Sequence, residues 1–118
     1  MVSEEPLSFW GGYDHQTGEI IDRRHPLAGE IAAGRILVVP FTRGSSTTTA
    51  VLLEAIKSGT APAAILTTGI DSFFALASIV ADELYGTPIP VVALTPEEFA
   101  TLKTGEHLMV KADGRVFR

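Results

Sequence analysis

The sequence predicts an α/β domain in which a small central parallel sheet is flanked by β-hairpins. Short aliphatic runs at 35–40, 62–67 and 89–94 are separated by apolar-periodic stretches long enough to be helices. That β-α-β-α-β order implies parallel strands joined by right-handed crossovers. Dense turn chemistry toward both ends, Asp14-His15-Gln16-Thr17-Gly18 and Asp113-Gly114, predicts the hairpins. At 118 residues, 46% hydrophobic and a mean hydropathy of +0.27, the chain fits one domain spanning 1–118 with enough apolar material for a single core. No repeat, low-complexity stretch or linker divides it.

Residues 7–11 (Leu-Ser-Phe-Trp-Gly) predict an opening strand, and Glu19-Ile20-Ile21 resumes extended structure after the Asp14–Gly18 turn, which makes a first hairpin. Residues 25–30 follow as a loop, because Pro26 fixes its own φ and pushes His25 out of the helical region. Strand 35–40 then enters a hydroxyl-rich turn. From Thr48, Val51, Leu52, Ala55 and Ile56 keep helical spacing while Glu54 and Lys57 face away, and Gly59 stops this one-sided helix. After strand 62–67, Asp71 or Ser72 can cap a helix carrying Phe73, Phe74, Leu76, Ile79, Val80 and Leu84, apolar nearly all round until Asp82 and ended by Gly86. Strand 89–94 leads to a short helix at 96–102 begun from Thr95. The alternating tail, turned at Asp113-Gly114 into Arg115-Val116-Phe117, is a hairpin.

Composition excludes several classes of function. A net charge of −5 and a pI near 5 argue against nucleic acid as a partner, because phosphate binding needs a cationic face. The basic clusters, Arg23-Arg24-His25 and Arg115 with Arg118, are small and read first as solvated surface. No apolar run approaches the roughly 20 residues of a membrane span, and the N-terminus lacks a signal-peptide layout, so the expectation is a cytoplasmic protein without a membrane partner. With no cysteine the chain has no thiolate for zinc or an iron–sulfur cluster, and His15, His25 and His107 lack metal-ligand spacing. No metal site is expected in it.

In open α/β sheets, ligands collect where strand C-termini meet helix N-termini. Two such places stand out, Phe41 to Thr49 and Thr67-Thr68-Gly69-Ile70-Asp71. Unpaired N–H groups and the helix dipole suit the first to an anion or to an ionised side chain, and Arg43 adds a forked cation. If the two strands are neighbours, Arg43, Ser45, Ser46, Thr68 and Asp71 converge on one cleft. Taken singly, each hydroxyl and Asp71 reads first as a helix cap. The turn has one glycine and no lysine, so it is neither a Walker A loop nor a dinucleotide fingerprint.

The set Pro6-Leu7-Ser8-Phe9-Trp10-Gly11-Gly12, Asp22-Arg23-Arg24-His25-Pro26-Leu27-Ala28-Gly29 and Arg43-Gly44-Ser45-Ser46 resembles the small subunit, or swivel domain, of the aconitase X dehydratases, and residues 61–94 resemble the same family. The resemblance implies a swivelling β/β/α domain that closes over a larger, cysteine-bearing subunit holding an iron–sulfur cluster or iron. No cofactor would then be bound by this chain itself, which would have little activity alone. It also implies that Ser45, first serine of the Gly44-Ser45-Ser46 turn, is the base that removes a proton, with Ser46 the other candidate. A serine needs N–H donors and positive charge to stabilise its alkoxide, and Gly44, Ser46 and Arg43 supply them. Aconitase proper continues this turn with an arginine that grips a substrate carboxylate. Thr47 stands here, which argues against a citrate-like substrate and leaves Arg43, or Arg23 and Arg24 with His25, to contact a small anionic substrate.

The family offers dehydration of cis-3-hydroxy-L-proline or of mevalonate 5-phosphate. Residues 81–90, long between helix and strand, favour the first, and three arginines could serve the second. The competing class is a non-catalytic module that holds an anion or docks a partner.

Overall fold

The computed structural model describes residues 1–9, 11–40, 47–69, 72–86, 89–105, 108–111 and 115–117. Its centre is a parallel sheet of β1 (Ile36–Val38), β2 (Ala64–Thr68) and β3 (Val91–Leu94), in the order β1-β2-β3. Leu37 lies beside Ile65, and Leu66 beside Val92. Helix α1 (Thr47–Ser58) joins β1 to β2, and α2 (Ser72–Tyr85) joins β2 to β3. The chain closes with α3 (Pro96–Thr101) and an antiparallel pair, β4 (Met109–Val110) and β5 (Val116–Phe117). The tail hairpin is therefore present, while Asp113-Gly114 lie outside the described residues. Among the described residues no helix is long and apolar enough to cross a membrane.

Alternation along the strands sorts the core into two layers, since successive side chains point to opposite faces. Leu37, Val39 and Ile65 pack with Leu52 and Ala55 of α1 and Ala77 of α2. Val38, Leu66 and Leu94 face the other way, toward Leu102, with Phe99, Val110 and Val116 half-buried against them. Residues 1–3 extend the sheet beyond β1. Val2 bridges Val38 in parallel, the Val38 N–H donates to the Met1 carbonyl, and the Ser3 N–H donates to the Val38 carbonyl at 3.0 Å.

Local chemistry explains the helix ends. At the end of α1, Gly59 takes φ +76°, its N–H reaches the Ile56 carbonyl, and the Thr60 N–H reaches that of Ala55 at 2.8 Å. These paired bonds are a Schellman motif, which places glycine at the left-handed position. Gly86 ends α2 in the same backbone region. Thr95 caps α3 through a capping box with Glu98, and Pro96 opens the helix.

Two expectations are corrected. Over residues 7–9 and 11 the only strand pairing is an isolated bridge at Leu7, not an extended strand, although Leu7 and Phe9 are fully buried. Instead the chain curls, with Gly11 at φ +76° and Gly12 so close to the Ser8 carbonyl that a Cβ would overlap it. The first hairpin accordingly shrinks to a single antiparallel bridge, Tyr13 to Ile20, across the Asp14–Gly18 turn. Helix α2 is one-sided among its described side chains. Small Ala77 and Ala81 are buried, whereas Leu76, Ile79 and Leu84 stand outward.

Tyr13 locks the curl in place. Its ring stacks on Phe9 at 4.6 Å and its hydroxyl donates to the Thr60 carbonyl at 2.7 Å. Burial raises its pKa above the ordinary value of 10. Above pH 10 an unfolded chain releases a proton that the folded chain keeps, so stability falls as pH rises further. The thermal midpoint should drop above pH 10 in the native protein. Tyr13→Phe should cost about 1 kcal/mol at neutral pH for the lost hydrogen bond and should flatten that alkaline decline. A denaturation series from pH 7 to 11 checks both.

Candidate active site

At the C-terminal edge of the sheet, the strands that lead into the two anticipated turns end side by side. Because β1 and β2 are neighbours in register, the segments leaving them, 41–46 toward α1 and 69–71 toward α2, depart from the same edge. The exits are bonded to each other: the Thr68 N–H and hydroxyl both donate to the Pro40 carbonyl, at 3.0 and 2.9 Å. The Thr67 hydroxyl donates to the Gly69 carbonyl at 2.6 Å. Arg43, Gly44, Ser45, Ser46 and Asp71 lie outside the described residues, and α1 and α2 begin immediately after Ser46 and Asp71.

Arg23, Arg24 and His25 share a cleft of about 550 Å³ with Glu5, Pro6 and Asp22. The cleft follows from the N-terminal pairing. Residues 1–3 run parallel to β1, so the chain beyond Val2 heads toward the edge at which β1 feeds 41–46. The 22–25 turn is built by its own sequence. Asp22 accepts the Arg24 N–H on its side chain at 3.0 Å and the His25 N–H on its carbonyl at 3.0 Å. An aspartate whose side chain accepts the N–H of the residue two positions on forms an Asx turn, which leaves Arg23 and Arg24 exposed at its tip.

His25 behaves differently from its neighbours. It is 6% exposed, its Nδ1 accepts the Leu27 N–H at 3.1 Å, and its Nε2 faces the Glu5 carbonyl at 3.2 Å. An Nδ1 that accepts carries no proton, so Nε2 bears the hydrogen and donates to Glu5. The imidazole is thus uncharged, and the cleft carries two guanidinium groups against two carboxylates. Glu5 escaped notice in the sequence because only tertiary packing brings it to a turn 20 residues away. Asp22 stood in the sequence only within the segment that carries the family resemblance, not as a turn former or as part of a charged cleft. Among the described residues no group of three or more histidine, aspartate and glutamate side chains could hold a metal.

A family model described as the aconitase X swivel domain matches residues 1–117. The cis-3-hydroxy-L-proline dehydratase of Pseudomonas aeruginosa is 52% identical over 110 residues, covering 93% of this chain and 19% of that protein. The phosphomevalonate dehydratase small subunit of Methanothermobacter thermautotrophicus is 42% identical over 114 residues, covering 96% of this chain and 82% of that one. A crystal structure of Thermococcus kodakaraensis aconitase X in its holo-form matches with a TM-score of 0.85 and 33% identity, over 100% of this chain and 86% of that chain. The chain spans less than a fifth of the hydroxyproline dehydratase from Hypocrea jecorina as well, at 18%.

Proposed function

The chain belongs to the aconitase X swivel-domain family, and we propose that it is the swivel part, or small subunit, of a hydro-lyase that dehydrates cis-3-hydroxy-L-proline. The observation that carries the substrate is the balanced charge of the cleft, Arg23 and Arg24 against Glu5 and Asp22. A cyclic amino acid is a zwitterion, and such a cleft offers a guanidinium fork to its carboxylate and a carboxylate to its ammonium. A phosphorylated hydroxy acid carries only negative charge and would meet two carboxylates there.

In this reading Ser45 takes the proton from the carbon bearing the carboxylate, the neighbouring C–O bond breaks and a C=C bond forms, and the departing hydroxyl together with that proton makes up the water lost. The Ser45 turn and the arginine cleft must then meet on one substrate, which is supported by residues 1–3: they run parallel to β1 and lead Glu5 toward the end of the strand that feeds the Ser45 turn. Thiolate ligands for an iron–sulfur cluster do not fit this chain, which has no cysteine. Any such centre would belong to a larger cysteine-containing partner and would assist the departing hydroxyl.

A second reading, dehydration of mevalonate 5-phosphate, is favoured by the small-subunit relative, which is nearly the length of this chain. Assembly with the large partner under anaerobic conditions, followed by assay of water loss from both compounds in parallel, decides between them. Turnover of the amino acid supports the proposal, and turnover of the phosphate ester replaces it. A stable, metal-loaded assembly that acts on neither reduces the chain to a binding or docking module.

A further inference from the structure

We propose that His25 is a positioning residue whose ring, held as the Nε2–H tautomer, straps the Arg23-Arg24 turn to the edge of the sheet and so sets how tightly the cleft holds its ligand. The effect on the ligand rests on the dehydratase reading above; the strap itself does not.

The strap is a continuous run of hydrogen bonds. It starts at β1, where the Val38 carbonyl accepts the N–H of buried Ser3. The Ser3 hydroxyl accepts the Glu5 N–H at 3.0 Å and donates back to the Glu5 carbonyl at 3.3 Å. That same carbonyl accepts Nε2–H of His25. From His25 the run divides, with the Leu27 N–H on Nδ1 and the His25 N–H on the Asp22 carbonyl. Asp22 in turn holds the Arg24 N–H.

Both ring nitrogens are occupied by backbone groups, which leaves neither for a substrate. Of the bonds that fix this turn, those to Asp22 and Leu27 are local and would form in any short loop of this sequence. Among the described hydrogen bonds of residues 22–25, the bond to Glu5 is the one that reaches across 20 residues to the segment anchored on β1. Without it the turn keeps its shape but not its place. The two guanidinium groups would then be held at a less definite position relative to the carboxylates of the same cleft, and a ligand would have to order them on binding.

Two substitutions separate the bonds. In His25→Asn the amide oxygen replaces Nδ1 and can still accept the Leu27 N–H, but the side chain falls short of Glu5. In His25→Gln the longer amide reaches Glu5 and gives up Leu27. On the 118-residue chain, backbone 15N relaxation at Arg23 and Arg24 should show order parameters near 0.85 in the native protein and in His25→Gln, falling below about 0.6 in His25→Asn. A long-range 1H–15N imidazole spectrum of the native protein should show the proton on Nε2.

In the assembled dehydratase, His25→Asn should raise KM for cis-3-hydroxy-L-proline roughly tenfold with kcat within about twofold, and His25→Gln should restore most of the loss. A proton on Nδ1, or unchanged order in His25→Asn, overturns the strap. Should His25→Asn fail to fold, the imidazole spectrum and His25→Gln still decide. A fall in kcat at constant KM would make His25 a catalytic group instead. If the native assembly turns over neither substrate, the dehydratase reading falls, while the relaxation data still decide the strap.

Discussion

Ser45→Ala should lower kcat of the assembled dehydratase by about 10²–10⁴-fold, the range that a positioned acid–base group supplies, while assembly with the large partner persists. A serine hydroxyl is a poor base unless its alkoxide is favoured. Here the residue stands immediately before Ser46 and the first turn of α1, a 12-residue helix whose aligned dipole favours negative charge at that end. Loss of a cap at this position costs only about 1 kcal/mol of stability, so a fall in activity of that size cannot come from unfolding. Steady-state rates should be read beside a thermal midpoint and a size-exclusion profile of the complex. Equal activity of mutant and native complexes removes Ser45 as the base, and loss of activity in Ser46→Ala alone would move the role one residue along.

Phe9→Ala should destabilise the fold by about 3–5 kcal/mol, a large part of the 5–15 kcal/mol that holds a domain of this size together. Phe9 is fully buried and sits where three parts of the molecule meet. Its ring stacks on Tyr13, whose hydroxyl ties the curl to Thr60 just beyond α1, and the same apolar cluster includes Ile65 of β2. Truncation removes the ring's burial and leaves a cavity that the stacked Tyr13 cannot fill without breaking its bond to Thr60. The denaturant midpoint should fall with little change in slope. A loss below about 1 kcal/mol would mean that residues 7–13 pack far more loosely against the sheet than the structure indicates.

The alternation of strand and helix was legible because each element repeats its apolar residues at its own period. The ends of α1, α2 and α3 were legible for a different reason: Gly59, Gly86 and the Thr95, Pro96 and Glu98 set act on backbone groups within a turn of themselves. The strand expected over 7–11 was not, because Leu7 and Phe9 alternate in burial as a strand does, yet pairing stops at a single bridge on Leu7 and the chain bends at Gly11 and Gly12. Periodicity reports which side is buried, not whether a neighbour exists. Likewise α2 reads as apolar nearly all round, but among its described side chains Ala77 and Ala81 are buried while Leu76, Ile79 and Leu84 stand outward.

Of the candidate site, Arg23 and Arg24 were visible as a basic pair and Ser45 as the first serine of a hydroxyl-rich turn. The residues that balance or hold them were less so. Glu5 carries no local signal, and His25 resembles a ligand contact in sequence while its two ring nitrogens are spent on Glu5 and Leu27.

By itself the sequence determined the order of the elements, where the helices stop, and the absence of any thiolate ligand, since each depends on residue type and on bonds spanning a few residues. Only the tertiary structure decided that β1 and β2 are neighbours, so that their two turns leave from one edge, and that Glu5 closes a charged cleft with the 22–25 turn. Those contacts join residues about 20 to 30 positions apart. Their formation depends on how whole strands and loops pack, which no local pattern of residues encodes.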